Sequence, residues 1–195
     1  MVAIPLENRA HPAPAFGLLH PLVQQWVWAH GWPSLFNIQE PVISLLLTGE
    51  TDVLIGANEA VRTETAFLPI CSRLAEQPAA GIRALYVSPL VDDRFRRVGE
   101  LCDWLKIGVH ISATDTADGI LLATPESITT LPPALFNGLR YVVVDDFLDG
   151  QLLTLLDRLT IDTRLVVLAS LRPCDFPAGR PVIRYCPAPP APGRA

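Results

Sequence analysis

The stretch Ile55 to Pro69, "IGANEAVRTETAFLP", holds several residue types of a phosphate site where such a site belongs. A short apolar run, "DVLI", precedes it and an amphipathic segment follows. A strand that turns into a helix aims backbone N–H groups and a helix N-terminus at an anion. Thr63 adds a hydroxyl suited to Mg²⁺, and Arg62 adds a cation. Tight triphosphate binding asks for more: a lysine as a compact point charge, and glycines that admit positive φ. Here Arg62 is a planar fork, Val61 is β-branched, and Glu59 brings a carboxylate. Lys106 is the sole lysine and lies at the end of a distant helical segment, so no shift of register supplies an ammonium. Arg62 and Thr63 therefore read either as an anion site or as the first turn of a helix.

Other residues could also carry chemistry. Asp145 and Asp146 close the apolar run "LRYVVVDD". Two carboxylates at a strand end either share a metal or are solvated, and no further ligand is visible beside them. Arg94, Arg96 and Arg97, in "DDRFRRVGELCDWL", are the best candidates for gripping a nucleic-acid backbone. Asp92 and Asp93 offset their charge, and a solvated arginine face is the plainer reading. Trp26, Trp28 and Trp32 could stack on bases, but their apolar neighbours Leu22 and Val23 favour core or an interface. Cys71, Cys102, Cys174 and Cys186 form no CxxC pair and read as buried or incidental thiols. His11, His20, His30 and His110 lack metal-ligand spacing, so no metal site is expected.

The elements that position these residues alternate between two periodicities. Strands are expected at 52–57, 83–89, 108–113, 119–125, 139–146, 163–170 and 181–186. Several are continuous apolar runs, as in strands buried on both faces of a parallel sheet. Helices are expected in "HPLVQQWVWAHG", "NIQEPVISLLLTG", "RTETAFLPICSRLAEQ", "DDRFRRVGELCDWLK" and "DGQLLTLLDRLT". In the fourth, Phe95, Val98, Leu101, Cys102 and Leu105 recur at three- and four-residue steps, giving one apolar stripe. Alternating strand and helix make the class α/β, three layers with a mostly parallel sheet flanked by helices. Ligands of open α/β sheets bind outside the C-terminal strand ends, where "GANE", "SP", "TPES", "DD" and "AS" fall.

Bulk properties bound the rest. The 195 residues are half apolar and 18% charged, which excludes a disordered chain and suits one domain with a sizeable core. A net charge of −5 gives no sign of a general nucleic-acid binder. Proline- and alanine-rich ends suggest tails at 1–15 and 187–195 around a domain at 16–186. The start lacks a basic region followed by an apolar core, so it is not a signal peptide. No apolar run approaches the roughly 20 residues of a membrane helix. A cytoplasmic protein with no membrane partner is expected.

The order of strand ends resembles the first RecA-like domain of superfamily 2 helicases of the DEAD/DExH type, a fold of the P-loop NTPase kind. The wording is nearest the large helicase-related (Lhr-like) group. The resemblance covers about residues 16 to 185. It rests on a Gln-containing opening segment with Gln39, "TETAFLPICSRL" after the phosphate loop, and "LYVSPL" with its arginine-rich helix. It continues through "GILLATPESI", "LFNGLRYVVVDD" and "LVVLAS". The resemblance implies that Gln39 would recognise adenine, Arg62 would stand in the lysine position and Thr63 would be the metal-bound hydroxyl. Asp145 would be the first acid of the DExH motif. Ser88, Thr124 and Ser127 would join Arg94, Arg96 and Arg97 on one nucleic-acid strand.

Departures from the pattern cluster at the chemistry. Beside the altered loop, Asp146 is shorter than the family's glutamate, no histidine follows, and "ASLR" replaces Ser-Ala-Thr, leaving Ser170. The chain also has room for only one RecA-like domain, whereas the family's enzymes close two over ATP. The sequence therefore points to an inactive helicase-like domain with no catalytic residues of its own and no cofactor. It would act as a binding or regulatory subunit of a nucleic-acid-processing or defence complex. Its partner would be a protein such as a helicase or nuclease subunit, with single-stranded nucleic acid as a further ligand. The alternative is a residual ATP-Mg-binding domain, at Gln39, Arg62, Thr63, Asp145 and Asp146, completed in trans by a partner chain.

Overall fold

The computed structural model describes residues 14–32, 34–36, 38–48, 52–56, 59–111, 118–145, 163–169 and 182–185. A 3₁₀ turn at Pro14–Leu18 leads into α1 (Pro21–Ala29) and α2 (Gln39–Thr48). There follow β1 (Asp52–Gly56), α3 (Glu59–Glu76), β2 (Ile82–Val87), α4 (Val91–Leu105) and the short β3 (Val109–His110). Then come β4 (Gly119–Ala123), α5 (Pro125–Ile128), α6 (Pro133–Phe136), β5 (Tyr141–Asp145), β6 (Arg164–Ala169) and β7 (Val182–Tyr185). The expected helix over "DGQLLTLLDRLT", residues 1–13 of the expected N-terminal tail, the whole expected C-terminal tail, Asp146, Ser170, Cys174 and Cys186 lie outside the described residues, whereas Pro14 and Ala15 open the 3₁₀ turn, with Ala15 buried. The expected strand at 108–113 is described only as Val109–His110, and α5 and α6 are helices that the periodicity did not reveal.

The seven described strands form one sheet in the order β3-β4-β2-β5-β6-β1-β7, with every pair parallel. Alternate residues divide between two cores, as a period of two requires. Val53, Ile55, Ala84, Tyr86, Tyr141 and Val143 join the core that includes the buried faces of α1 to α4. Leu54, Leu85, Val87, Val142 and Val144 join the other, with Ile128, Leu131 and Leu135. Continuous apolar runs were needed because both faces are covered. This is the expected three-layer RecA-like α/β architecture.

Local chemistry sets the ends of the elements. Thr124 caps α5, its hydroxyl accepting from Ser127 N, and Pro125 supplies a preformed first-turn φ. Helix α4 ends on Lys106 in the left-handed region, φ 60° and ψ 35°, and Ile107 N donates back to Cys102 O at 2.9 Å. At Gly119, φ is +87°, and a Cβ there would meet Gly108 O at 2.4 Å, so strands β3 and β4 approach through glycine backbone. No described helix is long and apolar enough to cross a membrane.

Candidate functional site

Asp145 ends β5 with its side chain turned into the protein, 1% exposed. Both of its oxygens are engaged by arginine. Arg94 Nε, from α4, donates to Oδ2 at 2.7 Å, and Arg62 Nη2, from α3, stands 2.9 Å from Oδ1. The first is an aligned charge-assisted hydrogen bond; the second is an ion pair without hydrogen-bond alignment. Tyr86, on β2 beside β5, donates its hydroxyl to the same Oδ2 at 2.8 Å. All three partners are buried, Arg62 at 2%, Arg94 at 1% and Tyr86 at 0% exposure. Burial pushes the Tyr86 phenol well above its ordinary range, and the Asp145 charge and hydrogen bond raise it further. The Arg94 charge opposes that rise. Tyr86 is therefore a proton donor at neutral pH.

The phosphate-loop stretch is also more regular than its sequence suggests. Helix α3 starts at Glu59, so Val61 and Arg62 are already helical, and the helix begins earlier than the expected "RTETAFLPIC". Among the described residues the one non-glycine position at positive φ is Lys106, so Val61 is not forced into a glycine conformation. Thr65 reinforces the start by donating to Val61 O at 2.7 Å. Of the two readings of Arg62 and Thr63, the early turn of a helix describes them, and both side chains point inward. The guanidinium that the resemblance sets in the lysine position faces the acid that it sets beside the metal.

The remaining candidates separate. Gln39 is fully buried at the start of α2; its Oε1 accepts from Phe36 N at 3.0 Å while its backbone N–H donates to Phe36 O. That is a reciprocal helix-start contact. It is neither solvated nor in contact with Arg62, Thr63 or Asp145 through any hydrogen bond given by the described residues. Arg94 must be corrected. It does not lie on the outer face with Arg96, because it stands three residues after Val91 and four before Val98, both buried. Arg96 is 74% exposed and pairs with Asp93 at 2.8 Å, while the Arg97 side chain is outside the described residues. Ser88, Thr124 and Ser127 do meet at the C-terminal ends of neighbouring β2 and β4, with Ser88 N bonded to Ala123 O. Their hydroxyls serve local turns: Ser88 Oγ accepts from Leu90 N and Ser127 Oγ donates to Thr124 O.

Of the three tryptophans, Trp26 is buried, and Trp28 and Trp32 pack against the same core. Trp26 meets Trp32 edge-to-face at 5.8 Å, which favours core over base stacking. Cys71 and Cys102, distant in sequence, are buried free thiols with Sγ atoms 3.8 Å apart. The Cys102 thiol and burial hold the Cys71 thiol well above its ordinary range. Among the described residues no cluster has the makings of a metal site. Sequence reading missed Tyr86 as a member of the buried site; its one signal was a polar atom inside the apolar run "ALYV".

Comparison with solved structures supports the fold. The chain is similar to the RNA helicase Prp28 from Chaetomium thermophilum bound to ADP, with a TM-score of 0.65 and 20% identity over 88% of this chain and 47% of that one. It is similar to S. cerevisiae Dbp5 bound to RNA and ADP BeF3, with a TM-score of 0.68 and 19% identity over 85% of this chain and 47% of that one. It is also similar to the DUF1998 helicase MrfA bound to DNA and AMPPNP, with a TM-score of 0.62 and 15% identity over 86% of this chain and 29% of that one. The chain thus spans less than half the length of each. No protein-family model matches it, and no curated protein matches it in sequence. At these identities the likeness shows the fold alone, a RecA-like one.

Proposed function

We propose that the chain is a catalytically inactive helicase-like domain that works by binding, as a regulatory or scaffolding subunit of a nucleic-acid-processing or defence complex. The observation that carries this reading is the buried Arg62–Asp145–Arg94 cluster. A charge that would meet phosphate and a carboxylate that would assist Mg²⁺ neutralise each other. Opening the cluster to a nucleotide would strand a buried charge, which costs several kcal/mol. Its partner is a protein, such as a helicase or nuclease subunit, and single-stranded nucleic acid is a second ligand. Exposed Arg96 and the strand ends at Ser88 and Thr124 support the latter reading. So does the nucleic acid bound to Dbp5 and MrfA. The Lhr-like grouping and a cytoplasmic location belong to the same proposal.

A thermal-shift titration tests it. The melting temperature should not move with ATP-Mg, whereas a ligand at a hundred times its Kd stabilises a fold by about 2.7 kcal/mol. A clear upward shift would contradict the reading.

One observation favours residual nucleotide binding completed in trans. The Gln39 Nε2 group is buried without an acceptor among the described residues, and an adenine ring could offer one. Under that reading the shift would emerge only when a partner chain carrying the missing motifs is added.

A further inference from the structure

The opposite, N-terminal edge of the sheet carries a cleft of about 260 Å³ lined by Arg73, Arg83, Arg140 and Arg164, with Tyr141. The placement follows from three strands that start alike: "IRALYV", "LRYVVV" and "TRLVVL". Strands β2, β5 and β6 are neighbours, and the edge is stitched in sequence, Arg140 N to Arg83 O at 2.8 Å and Arg164 N to Arg140 O at 2.9 Å. Arg73 comes from the last turn of α3. Two of the four are fixed in place: Arg164 donates to Leu46 O at 2.8 Å and Arg73 to Leu47 O, both carbonyls near the end of α2. The one carboxylate given there is Glu76, paired with Arg73 at 3.0 Å.

Arg83 and Arg140 have no side-chain acceptor among the described residues. Tyr141 is a second, independent sign of a built site. It is 6% exposed, lines the cleft, and its hydroxyl has no hydrogen-bond partner among the described residues. Burial raises its phenol above the ordinary range, so it is a donor, and the charges of Arg164, Arg73 and Arg140 act on it from close by.

We propose that this cleft is an anion site that takes one or two phosphate groups of a ligand. Guanidinium forks match phosphate oxygens in pairs. Four of them against one carboxylate call for a multiply charged ligand rather than a single carboxylate. The volume is below the roughly 300–1,000 Å³ of clefts that enclose whole small molecules, which suits a phosphate headgroup or a stretch of backbone. The site lies at the far edge of the sheet from Asp145, so it stands or falls independently of the nucleotide question.

The test compares the full chain with its Arg83→Ala/Arg140→Ala variant, by calorimetry with inorganic pyrophosphate and by anisotropy with a labelled oligothymidylate. Circular dichroism checks that the variant folds, and the single variant Arg140→Gln, at an exposed position, is the fallback. Loss of about tenfold or more in pyrophosphate affinity supports the site and identifies a free phosphate compound as ligand. The same loss for the oligonucleotide alone supports it and identifies a nucleic-acid backbone. Unchanged affinity for both ligands in a folded variant overturns it. So does poly-glutamate binding more tightly than either, which would make the cleft a site for acidic protein.

Discussion

Arg62 Nη2 stands 2.9 Å from Asp145 Oδ1, so the cation after β1 and the acid at the end of β5 are partners of each other. Strand β6 lies between β5 and β1, and the contact reaches across it at the C-terminal edge of the sheet. Arg94 and Tyr86 complete the cradle from α4 and β2. The four residues make one buried polar unit, and several consequences can be measured.

Asp145→Ala should be the most damaging change in the cluster, because it removes the carboxylate that Arg62 Nη2, Arg94 Nε and the Tyr86 hydroxyl share. A loss of about 3–5 kcal/mol is expected in urea denaturation. Arg62→Met should cost less, since Arg94 and Tyr86 still satisfy the carboxylate. Equal costs would mean that Arg94 and Tyr86 do not hold Asp145 as described.

Restoring the expected side chain should not restore the activity. Arg62→Lys supplies an ammonium, but Arg94 still occupies Asp145. No ATP hydrolysis above background is expected from this variant in a phosphate-release assay. Turnover would show that residue 62 alone had blocked the site.

Alkaline pH should weaken the fold through the buried phenols. Tyr86 and Tyr141 both have raised folded-state pKa values against an ordinary value of 10.0. Their contribution is complete below pH 10 and declines above it, because the unfolded chain loses those protons first. The slope is at most about 1.4 kcal/mol per pH unit for each tyrosine. Tyr86→Phe should flatten the decline between about pH 10 and pH 12, and an unchanged slope would remove Tyr86 from the account.

The end of α4 offers a stabilising change. Lys106 holds φ 60° where glycine carries no Cβ penalty. Lys106→Gly should stabilise by about 0.5–1 kcal/mol, the unfolded-state entropy of glycine offsetting part of the relief. Gly119→Ala should do the reverse, by more than about 1 kcal/mol, given φ +87° and the contact with Gly108 O. Thermal denaturation reads both signs.

Legibility in the sequence followed the physics. Runs such as "YVVVD" announced strands buried on both faces, and all seven expected strands coincide with observed ones over at least part of their length. Arg94 was misread because its charge outweighed its position, although its phase with Val91, Val98 and Leu101 marks the buried face. The Arg62–Asp145 pair was hidden for a different reason. The residues are far apart in the chain, Arg62 on the helix that follows β1 and Asp145 at the end of β5, and only the closed fold brings them together. Likewise, three strands with an arginine at or within one residue of their start are visible in the text, but their adjacency requires the strand order.

The most direct test of the central claim is calorimetric titration of the isolated chain with ATP-Mg, beside its Arg62→Ala variant. With Arg62 and Arg94 holding Asp145, no saturable heat is expected from the unaltered chain up to about 1 mM nucleotide, weaker than roughly −4 kcal/mol of binding. Saturable micromolar binding that disappears in Arg62→Ala would show instead that Arg62 reaches for phosphate, and would contradict the account.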